Sequence, residues 1–239
     1  ALGRVHDRSQ SLAAVEEAAQ AFATFNLDLM YALPGQTLDE LQADLATALA
    51  FAPPHLSIYQ LTLEPNTYFA THPPVLPGDD AAYDMLDHIS AAAQTAGLQR
   101  YEVSAYARAE HACWHNRNYW EFGDYLGIGA GAHSKLSFPH RVIRQVRARD
   151  PALYMQRAQT GGGSATVTQS MEVSRADLPF EFMLNALRLK DGFALALFSE
   201  RTGLPLSAIE SGLRAGQARG LLEADLVHVR PTPRGFDLL

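Results

Sequence analysis

The segment Cys113-Trp114-His115-Asn116-Arg117-Asn118-Tyr119-Trp120 gathers most of the chemistry that this 239-residue chain could perform. It contains both tryptophans and the single cysteine, with a histidine, two asparagines and a tyrosine among them. An imidazole is a good axial ligand for haem iron, and aromatic rings pack well on a porphyrin face. The same residue types also make a loop that pins itself down with aromatics and Asn side-chain bonds. Cys113 is open to three readings: a thiolate for haem iron, a reactive thiol, or a small buried apolar residue.

Asp28 is the second candidate. It interrupts the apolar run Phe25-Asn26-Leu27-Asp28-Leu29-Met30-Tyr31, sharing a face with Asn26 and Met30 while Leu27, Leu29 and Tyr31 take the other. A carboxylate inside such a run must be paired or hydrogen-bonded. It is either a contact to a ligand's hydroxyls or amine, or a structural partner of Arg4 or of backbone amides. Gln60 and Thr62 are expected on the corresponding face of the next strand, near its carboxyl end, where ligands of parallel barrels gather. Farther on, Gly127, Gly129 and Ala132 fit the spacing G-x-G-x-x-A, but no clear strand precedes them. What the glycines imply is close backbone approach to a ligand or a neighbouring strand, with His133 and Ser134 at the rim. The chain has no trio of cysteines, no HExxH, no P-loop and no GxSxG, so no metal site can be built from it alone.

The elements that must position these residues follow from periodicity. A helix is expected over 9–22, a strand over 25–31, and a turn at Leu33-Pro34-Gly35. Thr37, with Glu40 three residues on, predicts a capping box for a helix reaching about Ala50. Pro53-Pro54 stops it, and 55–63 reads as a strand. A Pro- and Gly-rich loop leads to a helix over 79–96, and 100–106 reads as a third strand. Strands alternating with helices of this length imply right-handed crossovers and a parallel sheet, and three strands make half a barrel or a small doubly wound sheet. Past Tyr106 the pattern breaks. A helix is expected over 150–159 and a flexible joint at Gly161-Gly162-Gly163. Helices over 174–190, 194–202 and 205–219, with a hairpin around Leu226–Arg230, give a winged-helix outline. The expected division is 1–160 and 161–239.

Composition narrows the class. At 47% hydrophobic and 19% charged the chain reads as globular, and a net charge of -7 with pI near 5.7 argues against a nucleic-acid binder. No apolar run is long enough to cross a bilayer, and no secretory signal opens the chain. A lone cysteine fits a reducing compartment, so the expected location is cytoplasmic. The start, Leu2-Gly3-Arg4-Val5-His6-Asp7 running straight into a helix, reads as the middle of a longer protein.

Several long blocks carry a family resemblance. Leu2-Gly3-Arg4-Val5-His6 and Phe25 through Thr37 resemble the radical S-adenosylmethionine proteins of the coproporphyrinogen-oxidase-like family. Leu56 through Thr67, Tyr101-Glu102-Val103-Ser104-Ala105-Tyr106-Ala107, His115-Asn116-x-x-Tyr119-Trp120 and Gly123 through Ser134 resemble its HemW branch. The resemblance implies the later half of a partial (β/α) radical S-adenosylmethionine barrel, followed by a HemN-type C-terminal domain. It implies three cofactors: a [4Fe-4S] cluster on three closely spaced cysteines, S-adenosylmethionine on the open iron as the source of a deoxyadenosyl radical, and haem. By motif matching, Arg4, Asp28, Thr62 and His133 fall where the family contacts S-adenosylmethionine. Asp28 would take the ribose hydroxyls or the amino group, and Arg4 would sit near the carboxylate. Thr62 and His133 stand where the true oxidases carry apolar residues, so backbone contacts are expected there. The HNxxYW block is linked to haem in this branch. His115 is then the axial or near-haem residue, with Asn116 beside it and Tyr119 and Trp120 shaping the pocket. The cluster cysteines do not occur in this chain, so a missing N-terminal half is expected and this chain by itself is not expected to be catalytic.

The function implied first is a haem chaperone that binds haem and delivers it to apo-haemoproteins. The alternative is oxygen-independent coproporphyrinogen oxidase, which decarboxylates propionate side chains. A winged-helix nucleic-acid module is the alternative of another class, disfavoured by the acidic charge. No nucleic acid is expected as a partner, a peripheral membrane contact is left open, and the recipient haemoproteins are not specified.

Overall fold

The computed structural model describes residues 6–65 and 67–239, which fall into two compact units, one ending at Cys113 and one spanning Trp114–Leu239. The first unit opens with helix α1 (Arg8–Ala21), started by Asp7, whose carboxylate accepts from the Gln10 N–H while the Gln10 side chain answers the Asp7 N–H. Strand β1 (Asn26–Tyr31) follows, then α2 (Leu38–Leu49), β2 (His55–Gln60), the single turn α3 (Tyr68–Thr71), α4 (Asp79–Thr95), β3 (Gln99–Glu102) and β4 (Ala105–Ala107). The capping box on α2 is present as expected, with Thr37 and Glu40 satisfying each other's backbone amides. Leu41, Leu45 and Ala48 of α2, and Met85, Ile89 and Ala93 of α4, recur at helical spacing and are buried. They meet Leu27, Leu29, Tyr31, Leu56, Ile58 and Tyr106 from one face of the sheet, forming the core of this unit.

The sheet order is β1-β2-β4-β3, and only β1 and β2 run parallel. The third strand is a correction to the sequence reading. Residues 100–106 do not form one parallel strand; the chain turns at Val103-Ser104, and β4 runs antiparallel to both β2 and β3. The cause lies in the side chains of β3. The Arg100 guanidinium donates twice to the Val103 carbonyl, at 3.1 and 2.6 Å, and Glu102 Oε1 accepts from the Ser104 N–H at 3.1 Å. Two charged residues that look ordinary in a strand thus satisfy the backbone of a tight reversal.

The second unit begins with α5 (Trp114–Trp120), a seven-residue helix where a loop was one reading. Strands β5 (His133–Phe138), β6 (Arg141–Arg147) and β7 (Val167–Val173) form an antiparallel sheet, with α6 (Pro151–Ala165) between the last two. The three glycines expected as a joint lie in the final turns of α6, where Gly162 leaves helical geometry at φ 71° and ψ -171°. The remainder is α7 (Leu178–Ala186), β8 (Phe193–Ala194), α8 (Leu195–Thr202), α9 (Ser207–Ala218), β9 (Leu222–Ala224), β10 (His228–Pro231) and α10 (Pro233–Phe236). β8, β10 and β9 pair antiparallel in that order, beside the three expected helices. Phe122, Val142, Phe182, Phe193, Phe198 and Val229 anchor the core of this unit, with Phe182 meeting Phe122, Phe193 and Phe198 edge to face.

Candidate functional site

The residues singled out by sequence form two groups, one on each unit. On the first unit the group lies on the face of the sheet opposite Leu27, Leu29, Leu56 and Ile58. The register places Asn26 beside His55 and Asp28 beside Ser57, so these four share that face. Asn26 Oδ1 accepts from His55 Nδ1 at 2.6 Å and from Ser57 Oγ at 3.0 Å, and Asn26 Nδ2 donates to Asp28 Oδ1 at 2.8 Å. An amide oxygen only accepts, so the neutral His55 ring carries its proton on Nδ1 and accepts at Nε2 from the Tyr101 hydroxyl, 2.9 Å away. His55 is 4% exposed. Burial depresses its pKa below the ordinary imidazole value; Asp28 acts against that shift, and His111 adds to it.

Asp28 itself is exposed, and among the described residues only its Oδ1 accepts a hydrogen bond. Its carboxylate is therefore presented by the sheet and not consumed by it. Gln60 is not on this face. It stands opposite Tyr31 in the register, and the Tyr31 hydroxyl donates to Gln60 Oε1 at 3.3 Å. Thr62 lies just past the end of β2, exposed, with its hydroxyl donating to Glu64 Oε1 at 2.9 Å. The expected strand is shorter than 55–63 because it stops at Gln60. Arg4 lies outside the described residues.

On the second unit α5 carries His115, Asn116, Tyr119 and Trp120 within two turns. His115 and Tyr119 are four residues apart and share a helix face, with ring centroids 4.9 Å apart. His115 is exposed, and its ring nitrogens accept or donate no hydrogen bond among the described residues. Tyr119 also meets Trp120 edge-on and stacks on Tyr125. The Arg188 guanidinium from beyond α7 lies 4.2 Å over the Trp120 ring. Trp114, the other tryptophan, is 82% exposed. Cys113, the last residue of the first unit, is a free thiol whose backbone N–H donates to the Tyr101 hydroxyl at 3.3 Å.

The end of α5 is set by a residue that sequence reasoning missed. Lys135, 2% exposed on β5, donates to the Phe122 carbonyl at 2.9 Å, to Asp124 Oδ1 at 3.1 Å and to Ser137 Oγ at 3.0 Å, and lies 4.1 Å over the Phe122 ring. Phe122 holds a left-handed conformation at φ 55°, which this cage supports. In sequence the run His133-Ser134-Lys135-Leu136 gives no sign that the lysine is buried; the only signal is Asp124 beside a glycine.

The glycine-rich segment is a strand neighbour and not a phosphate cradle. The Gly127 N–H donates to Ser134 Oγ at 2.9 Å, Gly129 N–H to the Tyr154 hydroxyl at 3.1 Å, and Gly131 N–H to the Ala148 carbonyl at 2.8 Å. Amides already committed to the protein cannot wrap an anion. Of the two approaches left open, the loop meets a neighbouring strand: a Cβ on Gly127 would stand 2.2 Å from the His133 carbonyl oxygen. The His133 side chain is exposed at the start of β5. Among the described residues no group of three or more His, Cys, Asp or Glu could hold a metal ion.

This fold is that of coproporphyrinogen III oxidase HemN of Escherichia coli, a radical SAM enzyme, with a TM-score of 0.75 at 20% identity, over 98% of this chain and 57% of that one. Residues 173–238 match the HemN C-terminal domain. In sequence the chain is similar to the heme chaperone HemW of Escherichia coli, 43% identical over 223 residues, which is 92% of this chain and 57% of that protein. It is 43% identical over 212 residues to HemW of Haemophilus influenzae (88% and 54%), and 31% identical over 235 residues to HemW of Bacillus subtilis (95% and 59%). The chain therefore spans little more than half the length of the curated relatives it matches. The HemW resemblance carried by the sequence blocks holds across distant bacteria.

Proposed function

We propose that this chain is part of a HemW-type haem chaperone, which binds haem as cargo and passes it to apo-haemoproteins. The observation that carries this reading is α5. It presents His115 to solvent with uncommitted ring nitrogens, beside the Tyr119 ring, on a helix fastened at its end by Lys135. A neutral imidazole so presented can ligate haem iron, and the flat rings of Tyr119 and Trp120 can flank a porphyrin. Asn116 sits on the same helix as a polar contact. No described helix is long and apolar enough to cross a membrane, and the reading places the protein in the cytoplasm.

The reading includes S-adenosylmethionine, which when bound to the open iron of a cluster supplies a deoxyadenosyl radical. The chain's one cysteine cannot furnish three cluster thiolates, so the [4Fe-4S] ligands belong outside this sequence. Asp28 fits the remaining task. It is an exposed carboxylate with one oxygen held by Asn26 and the other open, suited to a ribose diol or an amino group. Arg4, Thr62 and His133 are assigned to the same cofactor by motif. Thr62, committed to Glu64, and His133, tight against Gly127, are assigned through backbone.

The test uses the complete protein. Titration with haem should give a Soret band that His115→Ala removes. A band unchanged in that variant would overturn His115 as ligand. The likeness to the HemN fold supports a second reading, oxidative decarboxylation of coproporphyrinogen. Vinyl product formed by the complete protein, with no haem spectrum, would put that reading first.

A further inference from the structure

Beneath Asp28 runs a chain of hydrogen bonds whose direction is determined at every link. The Cys113 N–H donates to the Tyr101 hydroxyl, which donates to His55 Nε2; His55 Nδ1–H donates to Asn26 Oδ1, and Asn26 Nδ2–H donates to Asp28 Oδ1. The donor at each end of His55 follows from the amide oxygen of Asn26, which is fixed because the acceptor-only Asp28 carboxylate takes the amide nitrogen on the other side. Tyr101 reaches the imidazole because it is the extra residue of a β-bulge: β3 takes two steps from Arg100 to Glu102 while β4 takes one, from Tyr106 to Ala105. Bulges of this kind re-aim a side chain. The imidazole and Tyr101 ring meet edge-on at 5.6 Å, which fixes the plane of both.

We propose that His55 is a positioning residue for ligand binding at Asp28: through Asn26 it locks one carboxylate oxygen and leaves the other aimed at the hydroxyl pair of a ribose. This rests on the reading of Asp28 as a nucleoside contact. Without the relay the Asn26 amide is free to rotate and offer its oxygen to Asp28, which repels the carboxylate in place of holding it. The relay therefore sets affinity through orientation and makes no contact with the ligand itself.

The test measures equilibrium binding of S-adenosylmethionine and of its 2′-deoxy analogue to the complete, cluster-loaded protein. Asp28→Ala should weaken S-adenosylmethionine by about tenfold or more, the value of one charge-assisted hydrogen bond. His55→Phe should weaken it by a similar factor, and His55→Asn, whose amide nitrogen takes the place of Nδ1, should restore most of the loss. In the Asp28→Ala background His55→Phe should add nothing, as expected for two residues acting through one group. The deoxy analogue should respond to neither change beyond about twofold. If His55→Phe misfolds, Tyr101→Phe keeps the ring packing and removes only the relay's hydroxyl, with a several-fold loss expected. Binding indifferent to Asp28→Ala would overturn the nucleoside reading and the relay with it. Binding that needs Asp28 but is indifferent to His55→Phe and Tyr101→Phe, or weakened equally for both ligands, would overturn the relay alone.

Discussion

Tyr119 and Tyr125 stack with ring centroids 4.2 Å apart and planes 18° from parallel. Arg144 donates to the Tyr125 oxygen at 3.3 Å and is itself held by Glu181 at 2.6 and 3.0 Å. The HNxxYW helix is thus tied through one tyrosine pair to β6 and α7.

The first prediction concerns that pair. Burial, then the neighbouring Tyr125, push the Tyr119 phenol up to about 12, outweighing Arg144. A phenol whose pKa rises on folding adds stability that is complete below pH 10.0 and lost as pH climbs toward about 12. Tyr125→Phe should bring the Tyr119 transition back toward its ordinary value. Ultraviolet titration of the phenolate reads it, and an unmoved transition would show that burial alone sets the shift.

Lys135→Met should destabilise the protein by about 1–3 kcal/mol, because it leaves the buried Phe122 carbonyl without its donor, while Asp124, at the surface, keeps its bonds from Ser137. Denaturant titration measures this. The two partners shift in ways that separate the causes. Burial lowers the Lys135 pKa in spite of Asp124, whereas at Asp124 burial acts upward and is outweighed by the Ser137 hydrogen bonds and Lys135. Asp124 therefore contributes stability above its ordinary pKa of 3.8 that fades as pH falls through its depressed value.

His55 predicts a second acid-side loss. Its folded pKa is depressed, so the stability it contributes is present above 6.5 and lost as pH falls through the lower folded value. Protonation would also put a proton on Nε2, facing the Tyr101 hydroxyl that now donates to it. Denaturation midpoints measured from neutral to mildly acid pH should fall in the native protein, and His55→Asn should flatten that fall.

Gly127→Ala should cost about 1–3 kcal/mol, the range for overpacking, since the new methyl would meet backbone and not a movable side chain. A thermal midpoint equal to that of the native protein would mean that the loop and β5 separate easily.

Much of the first unit was legible in the sequence. The α2 capping box, the extent of α4 and the two faces of β1 followed from residue types and spacing alone. The reversal at Val103-Ser104 did not, because the bonds that stabilise it are made by Arg100 and Glu102 side chains, whose reach no propensity records. Gln60 fell on the wrong face because the strand stops before Thr62 and its parity counts from the pairing of Asn26 with His55. The sheet β5–β7 was hidden by arginines at 141, 144 and 147, a spacing of three that masks strand alternation. Asp28 and His115 were visible as chemistry, but their supports, Tyr101, His55 and Lys135, come from residues distant in sequence.

The anchoring of α5 bears on the order of events as the chain folds. Seven residues are too few for a helix to persist alone in water, where nucleation is unfavourable and shorter stretches melt. Its terminus is closed by an ammonium group on a strand that follows a dozen or so residues later, so helix and hairpin must form together. An excised peptide spanning 113–124 would be a fluctuating coil, with His115 and Tyr119 meeting only in passing.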